Sequence, residues 1–194
     1  MKVGVLALQG AFASHIEALS SLGVETLEIR KSEDIDKVDR LVIPGGESTA
    51  ISMLLDWNGM RDPIQKAIAA GMPMFGTCAG MIVLAREVLD GREDQTPLGA
   101  IDITVRRNAF GRQVDSFETN IEVVGFDDPF PSVFIRAPIV ESVGEGVEVF
   151  ATVDDKIVLC GTELILVASF HPELSNDRRI HEMFLSMEAS GTQG

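Results

Sequence analysis

PMFGTCAGMIVL, residues 73–84, runs from a short apolar stretch through a turn of small residues into a second apolar stretch of helical character. Met74 and Phe75 read as a strand entering the turn Gly76-Thr77-Cys78-Ala79-Gly80. A nucleophile set between a strand and a helix sits on a strained turn, so its neighbours must be small. Gly76 and Gly80 meet that demand and let strand and helix pass closely. Cys78 then stands at the start of a helix, where partial positive charge favours thiolate over thiol. The backbone NH of Ala79 is placed to hold an oxyanion. The plainer alternative is a buried free cysteine in a glycine-rich turn, the better reading for a cysteine without this frame.

Outward from this elbow the chain alternates strands and helices. Residues 3–8 are a continuous apolar run, as in a strand buried on both faces. Residues 12–22 show helical spacing, with Gly23 as the C-cap. Strands follow at 24–29 and 41–43, joined by a polar connection with a short helical turn around Ile35. Pro44-Gly45-Gly46 stops the third strand. Ser48 or Thr49 is the expected N-cap of a helix reaching about residue 55. Asp62-Pro63 is expected to open another helix to about residue 70. The helix after the elbow is expected to reach about residue 88, before a charged loop at 90–96. This order predicts a mostly parallel α/β sheet covered on both faces. Beyond residue 98 the texture changes. Strands are expected at 101–106, 118–124, 133–136, 147–153, 156–159 and 164–170, with turns at Asp127-Asp128-Pro129 and at 153–156. A last helix covers 177–187, and the tail from 188 is expected to fray. No repeat or linker interrupts residues 1–194, which read as one domain.

Composition narrows the partners. Lys and Arg number 16 and Asp and Glu 30, a net charge of −14. That disfavours nucleic acid and anionic membrane. No apolar run approaches the ~20 residues needed to span a bilayer. MKVGVLALQG reads as a first strand, since Gln9-Gly10 closes its apolar run too early for a signal peptide. The chain has 2 cysteines. They suggest a reduced, cytoplasmic protein, with Cys160 a small core residue.

A cysteine nucleophile needs a base, itself oriented by a third group. The chain has 3 histidines. His15 and His181 fall inside expected helices and read as surface or helix-face residues. His171 follows the apolar run 164–170 directly, so it stands at the C-terminal edge of a buried strand, where open α/β sheets place their sites. Pro172 holds it extended and ends the strand. Glu173 is near enough to fold back, fix the tautomer and stabilise imidazolium. His-Pro-Glu alone is weak; joined to the elbow it gives the set Cys78, His171, Glu173. A second oxyanion donor is expected from Gly46, in the glycine pair after a parallel strand. A phosphate-binding turn there ranks lower, because the P-loop frame is missing and Glu47 would repel phosphate. No Cys/His cluster has metal-ligand spacing, so neither metal nor cofactor is expected.

The Cys78 elbow, Gly45-Gly46-Glu47-Ser48 and His171-Pro172-Glu173 together resemble class I (triad) glutamine amidotransferases. LALQG (6–10), IPGGEST (43–49), GTCAG (76–80), RNAFGRQVDSFE (107–118), FIRAP (134–138) and SFHPEL (169–174) resemble, within that superfamily, the PdxT family. The resemblance covers nearly the whole chain, and the 107–118 and 134–138 blocks are its specific part. It implies a three-layer, flavodoxin-like class I glutamine amidotransferase fold with extra antiparallel strands in the C-terminal half. It implies hydrolysis of L-glutamine to glutamate and ammonia through a glutamyl thioester. It also implies delivery of the ammonia to a PdxS-type (β/α)₈ synthase subunit that makes pyridoxal 5′-phosphate. Glutamine contacts would fall on Gly46, Glu47, Ser48, Arg107, Ile135 and Arg136. An arginine for the α-carboxylate and a carboxylate for the α-ammonium suit that substrate. Alternatives are a glutaminase subunit for another acceptor, a DJ-1/PfpI-like cysteine hydrolase, and a binding module that kept the fold without the chemistry.

Overall fold

The computed structural model describes residues 1–92, 95–107 and 116–187. In chain order its elements are β1 (Lys2–Leu6), α1 (Phe12–Ser21), β2 (Glu25–Ile29), a 3₁₀ turn (Ser32–Lys37), β3 (Arg40–Ile43), α2 (Ser48–Trp57), α3 (Arg61–Ala69), β4 (Met74–Thr77) and α4 (Ala79–Leu84). The second half adds β5 (Ala85–Val88), β6 (Ile101–Arg106), β7 (Ser116–Ile121), β8 (Phe130–Ile135), β9 (Ile139–Val143), β10 (Glu148–Val153), β11 (Lys156–Gly161), β12 (Ile165–Ala168), a 3₁₀ turn (Pro172–Leu174) and α5 (Arg179–Ser186).

The main sheet runs β2-β1-β3-β4-β12-β11-β9-β6-β5, with β10 pairing on β11. From β2 to β12 every pairing is parallel. Beyond β12 the pairings among β12, β11, β10, β9 and β6 are antiparallel, and β5 joins β6 at the edge in parallel. The expected mixed architecture is therefore present, with its parallel half in the flavodoxin strand order. Alternation along β1 sends Val3 and Val5 into one core with Leu19, Phe75, Ile180 and Phe184, and Leu6 into the other with Ile43, Ile51, Leu55 and Ile64. α1, α5 and the β7–β8 hairpin thus cover one face, and α2, α3 and α4 the other.

Local signals explain most helix ends. Gly23 takes φ +75° after α1; its NH bonds Ser20 O at 3.0 Å and the Val24 NH bonds Leu19 O at 3.2 Å. That is a Schellman closure, which needs a residue free of Cβ strain. Asp154 and Asp155, at φ 49° and 62°, make the two-residue turn between β10 and β11.

Three expectations are corrected. The N-cap of α2 is Glu47, not Ser48 or Thr49; its carboxylate accepts from Thr49 N at 3.1 Å and Ala50 N at 2.7 Å. Its longer side chain folds back over the first turn and leaves the Ser48 hydroxyl to the cavity side. α3 begins at Arg61 with Met60 as its cap, so Pro63 lies inside the first turn, where no helical NH is lost. The helix after the elbow ends at Leu84 rather than near Val88. Leu98 N and Ala100 N take the carbonyls of Val83 and Leu84 at 2.7 and 2.9 Å, and Ala85–Val88 leaves to pair with β6. β9, which the sequence reading did not mark, joins β6 to β11. The frayed tail expected from residue 188 lies outside the described residues.

Candidate active site

β4 enters the elbow with Gly76 and α4 leaves it with Gly80, and both glycines are needed for clearance. A Cβ on Gly80 would stand 1.9 Å from the Ile43 carbonyl oxygen, and one on Gly76 would stand 2.7 Å from Gly80 backbone atoms. Between them Cys78 adopts φ 49°, ψ −103°, a strained conformation for a residue with a Cβ. Its NH bonds Ala168 O at 2.8 Å, so β12 pins the elbow from the far side. The thiol projects beyond the C-terminal edge of the sheet, and Sγ lies 3.8 Å from the Ile135 carbonyl oxygen.

β12 also delivers the imidazole. His171 follows its end, and the His171 NH bonds Val133 O of β8 at 2.8 Å. The 3₁₀ turn Pro172–Leu174 brings Glu173 back, with Oε1 2.7 Å from His171 Nδ1. Both residues are buried. Burial alone would lower the His171 pKa; hydrogen bonds to Cys78 and Glu173, with their charge, overcome it and raise the pKa to about 10. Burial would raise Glu173, but His15 and His171 hold its carboxyl below the ordinary value. Cys160 is also free, fully buried in the core, and burial pushes its thiol up to about 12.

The signs fix a pH dependence. Glu173 contributes stability above its ordinary 4.5, lost as pH falls. His171 contributes stability fully present below 6.5, lost as pH rises through about 10. Melting temperature against pH is therefore expected to peak for this pair in the acid-to-neutral window and decline on the alkaline side. A reaction that uses this imidazolium as its acid is expected to keep it well beyond the usual histidine range, with a basic limb near pH 10 in its kcat/KM profile.

A cavity of about 620 Å³ opens over the sulfur. Gly46, Glu47, Ser48, Cys78, Ala79, Arg107, Ile135, Arg136 and His171 all line it. Those are the site residues expected from the sequence, save Glu173, which stands behind His171. Residues 108–115 of the RNAFGRQVDSFE block lie outside the described residues. Arg136 follows β8 at φ 44°, a second strained residue at the cavity. The Ser48 hydroxyl is buried and has no protein partner. Arg107 Nη2 lies 3.2 Å from Glu47 Oε1, so the two charges expected to read the substrate meet each other. A larger depression, about 740 Å³, lies between the β7–β8 hairpin and residues 174–177, and no cysteine or histidine lines it.

Sequence reasoning placed Gly45 only in the glycine pair of the oxyanion loop and gave Gln9 no role in the substrate site. Gln9 Oε1 accepts from Glu47 N at 3.0 Å and lines the cavity. Gly45 lets the loop lie against the imidazole: a Cβ there would stand 2.4 Å from His171 Cε1. The clue was Gly10, whose φ of +95° sets the β1 loop against the Gly45 carbonyl. His15 and His181, expected at the surface, are fully buried. α1 and α5 turn them inward over Phe75, with ring centroids 6.0 and 5.8 Å from it.

The sequence profile of the SNO glutamine amidotransferase family matches residues 5–190. The chain belongs to that family. A pyridoxal 5′-phosphate synthase subunit PdxT from Herpetosiphon aurantiacus is 56% identical over 190 residues, 96% of this chain and 100% of that protein. A protein of the same name from Dehalococcoides mccartyi is 53% identical over 189 residues, 96% of this chain and 97% of its own. A crystal structure of a glutamine amidotransferase superposes with a TM-score of 0.90 at 49% identity, covering 95% of this chain and 97% of that one. PurLQS from Thermotoga maritima, at TM-score 0.64 and 15% identity over 95% and 97% of the chains, shares the fold. Among the described residues no helix is long and apolar enough to cross a membrane.

Proposed function

We propose that this glutamine amidotransferase is the cytoplasmic PdxT-type glutaminase subunit of a pyridoxal 5′-phosphate synthase, a single catalytic domain over residues 1–194 that works on L-glutamine. The observation that carries the chemistry is the convergence of the elbow cysteine and the His171–Glu173 pair on one cavity. Relatives at 53–56% identity over nearly the whole chain support the metabolic assignment.

The reaction runs in two halves. Cys78 sulfur attacks the side-chain amide carbon, and the oxyanion is received by the backbone NH groups of Gly46 and Ala79. His171 gives its proton to the leaving nitrogen, ammonia departs, and a glutamyl thioester remains. His171 then takes a proton from water, whose oxygen attacks the thioester and releases glutamate. Glu173 holds the ring throughout. The substrate's α-amino acid end is read by Glu47, Ser48, Arg107, Ile135 and Arg136. Because Glu47 already faces Arg107, glutamine inserts its opposite charges beside a formed pair, which fixes its orientation. Arg107→Leu is expected to raise the KM for glutamine about tenfold or more and to change kcat far less, as steady-state kinetics would show.

Ammonia protonates readily in water, so a PdxS-type synthase docked over the cavity would receive it by a protected path. The test is ammonia release from L-glutamine with and without such a synthase. Release that rises with the synthase is the expected result; release unaffected by it would move the acceptor to another enzyme, and no release would leave a cysteine hydrolase or binding module.

A further inference from the structure

His171 uses one oxygen of Glu173, and the other points away from it. Glu173 Oε2 is buried and makes no close hydrogen bond. The group facing it is His15, whose Nε2 stands 3.4 Å away. The same nitrogen is 3.0 Å from Thr77 Oγ1, on the residue preceding the elbow cysteine. His15 Nδ1 in turn lies 3.2 Å from His181 Nε2. All 3 histidines of the chain therefore join Glu173 in one buried series, from His171 through Glu173 and His15 to His181.

The proton positions follow from this geometry. With its proton on Nδ1, His15 would turn a lone pair toward an ionised carboxylate oxygen and leave that oxygen without a donor, a costly arrangement in a buried site. With the proton on Nε2, His15 donates toward Glu173 Oε2 and Thr77 Oγ1, and its Nδ1 accepts from His181 Nε2–H. At the end of the series His181 Nδ1, a neutral ring nitrogen, has no partner, and Glu173 Oε2, with His15 Nε2 facing it at 3.4 Å, makes no full hydrogen bond. His15 and His181 are both neutral. Burial lowers His15, with Glu173 opposing and His171 adding to the shift. Burial also pushes His181 down to about 3, aided by His15, opposed by Glu173, with Arg178 adding.

We propose that His15 is a positioning residue for glutamine hydrolysis: its Nε2–H holds the second oxygen of Glu173, and so sets the ring of His171, while His181 fixes the tautomer of His15. This rests on the Cys78–His171–Glu173 reading above. The Phe75 ring, edge-on to the imidazoles of His15 and His181 at 87° and 89°, leaves them little freedom to turn. α1 and α5, from opposite ends of the chain, thereby join in orienting the base.

The decisive experiment is a long-range 1H–15N spectrum of the full chain with 15N-labelled histidine, which reports the tautomer of each ring without any substitution at His15. Nε2-protonated His15 is expected at neutral pH; Nδ1-protonated His15 would overturn the proposal. In the synthase complex, His15→Leu is expected to lower kcat about 10- to 100-fold while KM for glutamine stays within about twofold. His15→Gln, whose amide nitrogen reaches the place of Nε2, is expected to recover most of that loss. A folded, complexed His15→Leu with unchanged kcat, or a Gln variant no better than Leu, would sink the idea. If His15→Leu does not fold, the tautomer and the Gln variant decide. Hydrolysis that survives Cys78→Ala would instead remove the triad reading, and the tautomer result is independent of that outcome.

Discussion

Cys78→Ala is expected to lower glutamine-dependent ammonia release by about 10⁴-fold or more while leaving the fold intact. No other atom of the cavity replaces Sγ: the neighbouring Ala79 has no nucleophile, and the Ser48 hydroxyl, though Ser48 lines the cavity, has no base bonded to it. Alanine keeps the elbow's Cβ at φ 49°, so the strain there is unchanged. The substitution also has a signature away from the reaction. Cys78 is among the groups that raise His171, so the imidazole of the variant is expected to titrate below the native value of about 10. A proton NMR titration would show it. A variant that keeps native turnover would mean that another residue carries the chemistry.

Gly80→Ala is expected to cost more than about 3 kcal/mol of stability, the upper range for an overpacked core. Its Cβ would meet the Ile43 carbonyl oxygen at 1.9 Å, and that oxygen belongs to the backbone of β3, not to a side chain that can rotate away. Relief requires α4 to lift off the sheet. α4 is buried along its whole length, from Ala79 to Leu84, so lifting it opens the core under the elbow. Denaturant melts should show a lowered midpoint, and the protein that remains folded should show a displaced Cys78 and slow hydrolysis. Gly23→Ala makes the contrast. Nothing lies within 4 Å of its Cβ, so only the strain of φ +75° is paid. That is expected to cost about 1–2 kcal/mol. Native stability for Gly80→Ala would show that strand and helix are not held as closely as the geometry requires.

Some of this protein is written in short stretches of chain. The elbow is legible because a strained turn between strand and helix tolerates only small flanking residues, and Gly76 and Gly80 say so in sequence. His171-Pro172-Glu173 is legible because proline ends a strand at a fixed place and the pairing partner is two residues away. The turn at Asp154-Asp155 and the closure at Gly23 are likewise set by backbone freedom at single residues. Other features depend on what arrives from elsewhere. α4 has enough apolar residues to continue, but residues 98–100 take its last carbonyls and β6 takes its continuation. Ser48 and Thr49 are good caps by type, yet Glu47 reaches the same NH groups from one position earlier and meets Arg107 there. His15 and His181 are polar residues on short amphipathic helices, a pattern that places them at the surface until α1 and α5 are laid side by side on the sheet face that Glu173 reaches from behind the site. The sequence by itself determined the elbow around Cys78, the His171-Pro172-Glu173 strand end and the mostly parallel sheet, since each follows from conformational limits within a few residues. Only the tertiary structure decided which residues stand behind the base, because burial and hydrogen-bond partners belong to the packing of segments far apart in the chain.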